Sequence, residues 1–372
     1  MLSLRNRILD DLTNEEYTLE LIPSWTLEDI VDVIWLHSEK GESLNFSDTE
    51  NEYQILKDAI PTGLIKKRVS ERTGKPYKIS ALARLWELGV IRVYDRIDNE
   101  EIELTRDTRF IWQDAYFRAF SSSEHSVSQM NKRLQNSTVC IVGAGAAGSL
   151  TALMLTAAGV GKLRLVDGDT VASSNLPRQI LYPENSIGRL KIEVLRNLLL
   201  SHHSHLEVET LNTFVDSQER ANEITTGVDF LILTADQPRL KIREWIGKAS
   251  LSLHVPYLAM GGNWIGPISV PYYSPCYLCQ ARTYRSRYSD PISFLEKVVK
   301  EPLPDRAAFG PRPALVASFV ASTTLHYLSG TGTERSLFES FKVSLDGNTE
   351  RLAYRRYRNC AACATHPHAK LS

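Results

Sequence analysis

The run Thr138-Val139-Cys140-Ile141-Val142-Gly143-Ala144-Gly145-Ala146-Ala147-Gly148 constrains this chain more than any other stretch. A β-branched run breaks into three glycines and then reopens as Ser149-Leu150-Thr151-Ala152-Leu153. That pattern predicts a buried strand, a tight turn and a helix. Residues 138–161 carry no charge and are long enough to cross a bilayer, but the glycines divide them, so no membrane span is expected. In such a turn the glycines let the backbone approach a phosphate, and the helix N-terminus faces it. Asp167 closes the next strand-like segment, 162–167, where an acid hydrogen-bonds ribose hydroxyls. Together these features predict nucleotide binding. By themselves they suit an NAD-dependent oxidoreductase as well as an ATP-using enzyme.

Strand and helix patterns alternate beyond this point. Strands are predicted over 139–142, 162–167, 208–215, 229–234 and 255–260, with helices over 190–200 and 240–251. This is an α/β, Rossmann-like, doubly wound and mostly parallel sheet. With 372 residues there is room for a further domain. Residues 1–100 differ in character. The spacing predicts an amphipathic helix over 25–36 with Ser24 as its cap, a second over 79–88 stopped by Gly89, and strands over 17–22 and 90–94. We expect a small α+β, winged-helix-like binding module there, a linker over 95–109, and one nucleotide-binding domain over 101–372. Lys plus Arg total 43 against 44 Asp plus Glu, which removes the electrostatic case for a nucleic-acid partner. Charges interrupt the first residues too often for a secretion signal, so a cytoplasmic location is expected.

The chain has five cysteines. Four form two CxxC pairs, Cys276/Cys279 and Cys360/Cys363, and the fifth, Cys140, stands alone. Such pairing points to a metal site in a reducing compartment rather than a secreted disulfide scaffold. Four thiolates around tetrahedral Zn²⁺ would join two distant segments as a structural site. They complete the site, so His366 and His368 are left out of it. His202, His203 and His205 show no ligand spacing. Cys140, in the strand before the glycine turn, is expected to be a buried apolar group rather than a nucleophile.

The residues after Asp167 decide between nucleotide chemistries. Asp167-Gly168-Asp169-Thr170-Val171 leads to Asn175-Leu176-Pro177-Arg178-Gln179, and Gly188-Arg189-Leu190-Lys191 opens the next helix. A dehydrogenase has no need of Arg178 and Lys191 at its cofactor, whereas an enzyme that cleaves a triphosphate must offset developing charge. At these residues, and at Thr234-Ala235-Asp236, the chain resembles the E1-like adenylating superfamily, the ThiF, MoeB and ubiquitin-activating group. The resemblance implies that Gly143, Gly145, Gly148, Asp167 and Asp169 bind the nucleotide. Asn175, Arg178, Gln179 and Lys191 would surround the ATP phosphates, and Asp236 would hold Mg²⁺. It also implies the structural zinc and a homodimer in which a partner lends an arginine. Arg106-Asp107-Thr108-Arg109 looks like that element, with Arg109 as the preferred residue. Ala146 departs from the family, which often has glycine there.

Ubiquitin-type activators pass the acyl group to a cysteine in a loop that crosses the active site. The corresponding region, 282–312, has none. An N-terminal module together with no acceptor cysteine resembles the MccB-like and PaaA-type peptide-modifying enzymes. That resemblance implies a module which clamps the leader of a ribosomally made precursor peptide. Adenylation of a carboxyl or amide group would follow, with direct attack by an internal nucleophile or retention of the nucleotide. The alternative is an adenylyltransferase for the C-terminal Gly-Gly of a ubiquitin-like sulfur carrier. A non-catalytic nucleotide-dependent binder is disfavoured by Arg178, Lys191 and Asp236.

Overall fold

The computed structural model describes residues 126–238, 240–286 and 309–364. Before these it describes the segments 17–21, 25–30, 33–38, 43–47, 64–67, 91–95 and 108–118, with isolated residues between them. Met1–Gln129 and Met130–Ser372 form two compact units.

In the amino-terminal unit, β1 (Tyr17–Leu21) lies between β5 (Leu64–Lys67) and β6 (Ile91–Asp95) in an antiparallel sheet of order β5-β1-β6. A second antiparallel sheet joins β2 (Trp25–Ile30), β3 (Val33–Ser38) and β4 (Ser43–Ser47). The helix expected over 25–36 is therefore wrong. Ile30 pairs with Val33 and Trp25 with Ser38, so the segment is a hairpin. The β-branched residues favour a strand, and Ile34 and Leu36, two apart, both bury on the face that also buries Phe46 of β4. The second expected helix holds where it is described. Ala81, Arg84 and Leu85 are helical, Ala81 and Leu85 are buried, and Val90 N–H closes the end on Leu85 O. Ser24, Gly89, Arg106 and most of the expected linker lie outside the described residues. Helix α1 (Ile111–Arg118) follows a 3₁₀ turn at Thr108–Phe110.

The second unit is built on eight strands in the order β14-β13-β12-β11-β10-β7-β8-β9. Helix α2 (Val127–Asn136), at the junction of the units, leads into β7 (Thr138–Val142). Five strands run parallel: β7, β8 (Lys162–Val166), β9 (Glu207–Leu211), β10 (Phe230–Leu233) and β11 (Tyr257–Gly261). Strands β12 (Trp264–Ser269), β13 (Glu339–Val343) and β14 (Thr349–Ala353) extend the sheet antiparallel. The third parallel strand stops at Leu211, short of the expected 215, because the chain turns at Thr213, whose N–H bonds Leu211 O.

The alternation within β7 explains the layers. Val139 and Ile141 bury on one face with Ala152 and Leu155 of α3 (Ala146–Ala157) and Ile192 and Leu195 of α4 (Lys191–His202). Cys140 and Val142 bury on the other with Ile224 of α5 (Gln218–Thr225) and Ile246 of α6 (Lys241–Leu253). Such two-sided burial is why β7 and β10 read as unbroken apolar runs. Helix α7 (Tyr277–Arg285) and the long α8 (Pro311–Ser329) complete the helices that bear on the sites. From β7 the sheet grows through β8 and β9 in one direction and through β10 and β11 in the other. The carboxyl ends of β7 and β10 therefore flank a topological switch point, where open α/β sheets bind ligands. Among the described residues no helix is long and apolar enough to cross a membrane.

Candidate active site

At the switch point the chain leaves β7 at Gly143, with φ 99° in the left-handed region. A Cβ there would lie 2.9 Å from both Ala235 N and Thr234 Oγ1, so both conformation and space require glycine. Gly148, inside α3, is packed so closely that a Cβ would fall 1.9 Å from Gly143 O. Gly145 differs. Its φ of −73° suits any residue, and among the described residues nothing beyond its own helix and chain neighbours lies within 4 Å of a Cβ placed on it. Packing within the protein gives no reason for glycine there, but a ligand that approaches the backbone would. Gly145 also occupies the N-cap of α3 and provides no side-chain cap. The orphan N–H groups of the first turn suit a phosphate.

The turn is held in shape from both sides. Asp167, buried at the end of β8, accepts from Ala144 N–H at 2.6 Å and from Asp169 N–H at 2.8 Å. Burial raises its pKa, and the two backbone hydrogen bonds oppose that shift. Tyr182 donates its hydroxyl to Ala144 O at 2.6 Å, and burial pushes its phenol pKa upward. Thr234 Oγ1 donates toward Gly143 O at 2.8 Å and Val142 O at 3.0 Å. Tyr182 is absent from the sequence-based site. A lone tyrosine in a polar stretch carries no signal that it will reach back to the glycine turn.

Asn175, Arg178 and Gln179 share one turn. Asn175 O accepts from Arg178 N–H at 3.0 Å and from Gln179 N–H at 2.8 Å, and Arg178 Nη1 donates to Ser174 O at 2.6 Å. Tyr182 N–H bonds Gln179 O, which joins this turn to the residue that holds Ala144. Gln179 is 5% exposed, and its Oε1 has no hydrogen-bond partner among the described residues. A buried acceptor left in that state is costly unless a ligand or water completes it. Lys191, the first residue of α4, pairs with Asp169 at 2.8 Å. Its side chain is 6% exposed and that of Asp169 55%, so the ion pair is anchored inside and opens outward. Asp236 follows β10 and is exposed. Arg109 is exposed and belongs to the amino-terminal unit.

The two CxxC pairs converge elsewhere. Cys276 caps α7, Cys279 lies in its first turn, and Cys360 and Cys363 belong to the turn after β14. All four are buried, with Cys276 Sγ 3.6 Å from Cys360 Sγ and Cys279 Sγ 3.7 Å from Cys363 Sγ. Sulfurs at about 2.3 Å from a tetrahedral zinc lie about 3.8 Å apart, so the spacing and donor set fit that metal. Tyr357 N–H points at Cys279 Sγ at 3.4 Å, as a donor to a metal-bound thiolate does. His366 and His368 lie outside the described residues. Cys140 is apart from this cluster, wholly buried in β7, and burial pushes its thiol pKa up to about 12.

The sequence model of the ThiF family matches residues 118–365, two thirds of the chain. The chain belongs to the ThiF family. Among relatives, the molybdopterin-synthase adenylyltransferase of Escherichia coli K12 is 32% identical over 155 residues, 41% of this chain and 61% of that protein. The adenylyltransferase and sulfurtransferase UBA4 of Candida albicans is 28% identical over 244 residues, 63% of this chain and 52% of that one. Thus this ThiF-family chain matches between about half and three fifths of these relatives' lengths. The fold is also that of the microcin C7 biosynthetic enzyme MccB, solved in complex with N-formylated MccA, with a TM-score of 0.73 at 19% identity. That likeness covers 93% of this chain and 99% of MccB. The unmatched part, about 26 residues, is far smaller than the 129-residue amino-terminal unit, so the shared fold includes both units.

Proposed function

We propose that this chain uses ATP to adenylate a carboxyl or carboxamide group of a ribosomally made precursor peptide, and that a nucleophile within the peptide then displaces AMP. The observation that carries the reading is the state of the cysteines. Four are gathered in one buried cluster, and the fifth, Cys140, is buried with its thiol pKa near 12. No thiolate in this sequence is placed to accept an acyl group. The amino-terminal unit adds support, because a fold match spanning both units is to a microcin biosynthetic enzyme solved in complex with N-formylated MccA.

In this reading the ribose lies on Asp167, and the phosphates lie along Gly143–Gly145 and the uncapped start of α3. The substrate oxygen attacks the α-phosphorus and pyrophosphate leaves. Arg178 and Lys191 offset the charge that develops on it, and the orphan Gln179 oxygen finds a partner in the ligand or its water. Asp236, an exposed carboxylate at the carboxyl end of β10, would hold Mg²⁺, which supplies charge neutralisation to the phosphates. The four cysteines would hold a structural Zn²⁺. Arg109 would reach a neighbouring protomer's site in a homodimer. For the peptide clamp, β1 is already paired on both sides, so an added strand would have to join the outer edge of β5 or β6.

The second reading, activation of the C-terminal Gly-Gly of a ubiquitin-like sulfur carrier, is favoured by the 28% identity to an adenylyltransferase and sulfurtransferase. ATP–pyrophosphate exchange separates the two. Exchange that requires a short precursor peptide supports the first reading. Exchange driven by a Gly-Gly carrier and by no short peptide replaces it with the second.

A further inference from the structure

Next to the ribose position, one residue along from Asp167, lies a glycine for which neither the turn nor the backbone gives a reason. Gly168 is outside the left-handed region. A Cβ on it would instead fall 2.6 Å from Cε2, 2.7 Å from Cζ and 2.9 Å from Cδ2 of Phe214. The phenyl ring therefore lies flat against the Gly168 backbone. Phe214 is nevertheless 57% exposed, so the ring presents surface to solvent at the carboxyl ends of β8 and β9. Its position is fixed by the turn after β9. Thr213 N–H bonds Leu211 O at 3.0 Å, Thr213 Oγ1 donates to Phe214 O at 3.3 Å, and Asp167 N–H bonds Leu211 O at 3.3 Å. The same Asp167 carboxylate grips Ala144 in the glycine turn. The glycine turn, Asp167 and the exposed ring are thus joined by consecutive contacts across the carboxyl ends of β7, β8 and β9.

We infer that Phe214 forms one wall of the base subsite, a flat apolar surface on which the purine of ATP stacks, and that Gly168 is glycine so that the ring can lie there. This rests on the ATP reading above. A ribose held by Asp167 brings its base within one sugar's reach of Gly168. An aromatic ring on that side supplies the stacking contact that every base accepts and that a large purine uses most fully.

Equilibrium binding of ATP, CTP and inorganic tripolyphosphate to the full chain tests this. Phe214→Ala should weaken ATP by roughly tenfold, as loss of one base–aromatic stack does, while tripolyphosphate binds as before. The preference for ATP over CTP should shrink in parallel. Gly168→Ala, which displaces the ring without removing it, should give the same pattern. Phe214→Trp should keep ATP affinity, and its added fluorescence relative to wild type should change with ATP but not with tripolyphosphate. The inference fails if Phe214→Ala binds ATP within twofold of wild type, or if ATP and tripolyphosphate weaken equally. Wild-type protein that binds no ATP would instead overturn the adenylation reading itself.

Discussion

The nucleotide turn and the cysteine cluster are both built from short motifs, yet they end in opposite states. Around Cys276, Cys279, Cys360 and Cys363 every ligand is buried, and the sulfurs are spaced for a closed tetrahedral site. Around Gly145 the helix start has no side-chain cap, and among the described residues none beyond its own helix and chain neighbours crowds the glycine and none pairs with the buried Gln179 acceptor. A completed site holds the fold together, whereas an incomplete one awaits a ligand. In the proposed reading, this contrast gives the cysteines a structural part and the turn the chemistry.

The largest effect should come from opening the closed site. Cys363→Ser should release zinc, measured by metal analysis, and lower Tm by roughly 10 °C or more, since such sites contribute folding energy directly. A variant that loses no stability would break the contrast. Next is Asp236→Ala, which should reduce ATP–pyrophosphate exchange by about 100- to 1000-fold with Tm unchanged. Retained exchange would remove Asp236 from the Mg²⁺ role. Tyr182→Phe leaves Ala144 O without its donor inside the protein. It should cost about 1 kcal/mol and raise the KM for ATP a fewfold without touching the zinc. Least affected should be Cys140→Val, a swap of similar volume that should leave exchange unchanged. In the folded wild type, alkylation of Cys140 at pH 8 should proceed no faster than unfolding, because burial holds its pKa near 12.

The same contrast explains what could be read beforehand. The cysteine pairs and glycine turn are local signals, and β7 and β10 (Phe230-Leu231-Ile232-Leu233) are apolar runs that only a doubly covered sheet accommodates. Residues 25–36 mislead because apolar side chains recur at intervals that satisfy both helix and strand. The β3–β4 register decides between them, and a local pattern cannot contain it. Tyr182 and Phe214 were illegible for a related reason. Each acquires its place by contacting a residue dozens of positions away, Ala144 and Gly168 respectively. The α/β domain was visible as an alternation of strand and helix patterns, while the residues that fix the shape of its glycine turn were visible only once folded.

If the open site performs the chemistry and the cysteines only support it, the enzyme never carries the acyl group. Intact-mass measurement of the protein during a single turnover with ATP and a peptide that supports exchange tests this most directly. The account predicts unmodified enzyme at every time point, with AMP released into solution. A thiol-labile adduct on the enzyme, mapped to Cys140 or to any of the four clustered cysteines, would contradict it.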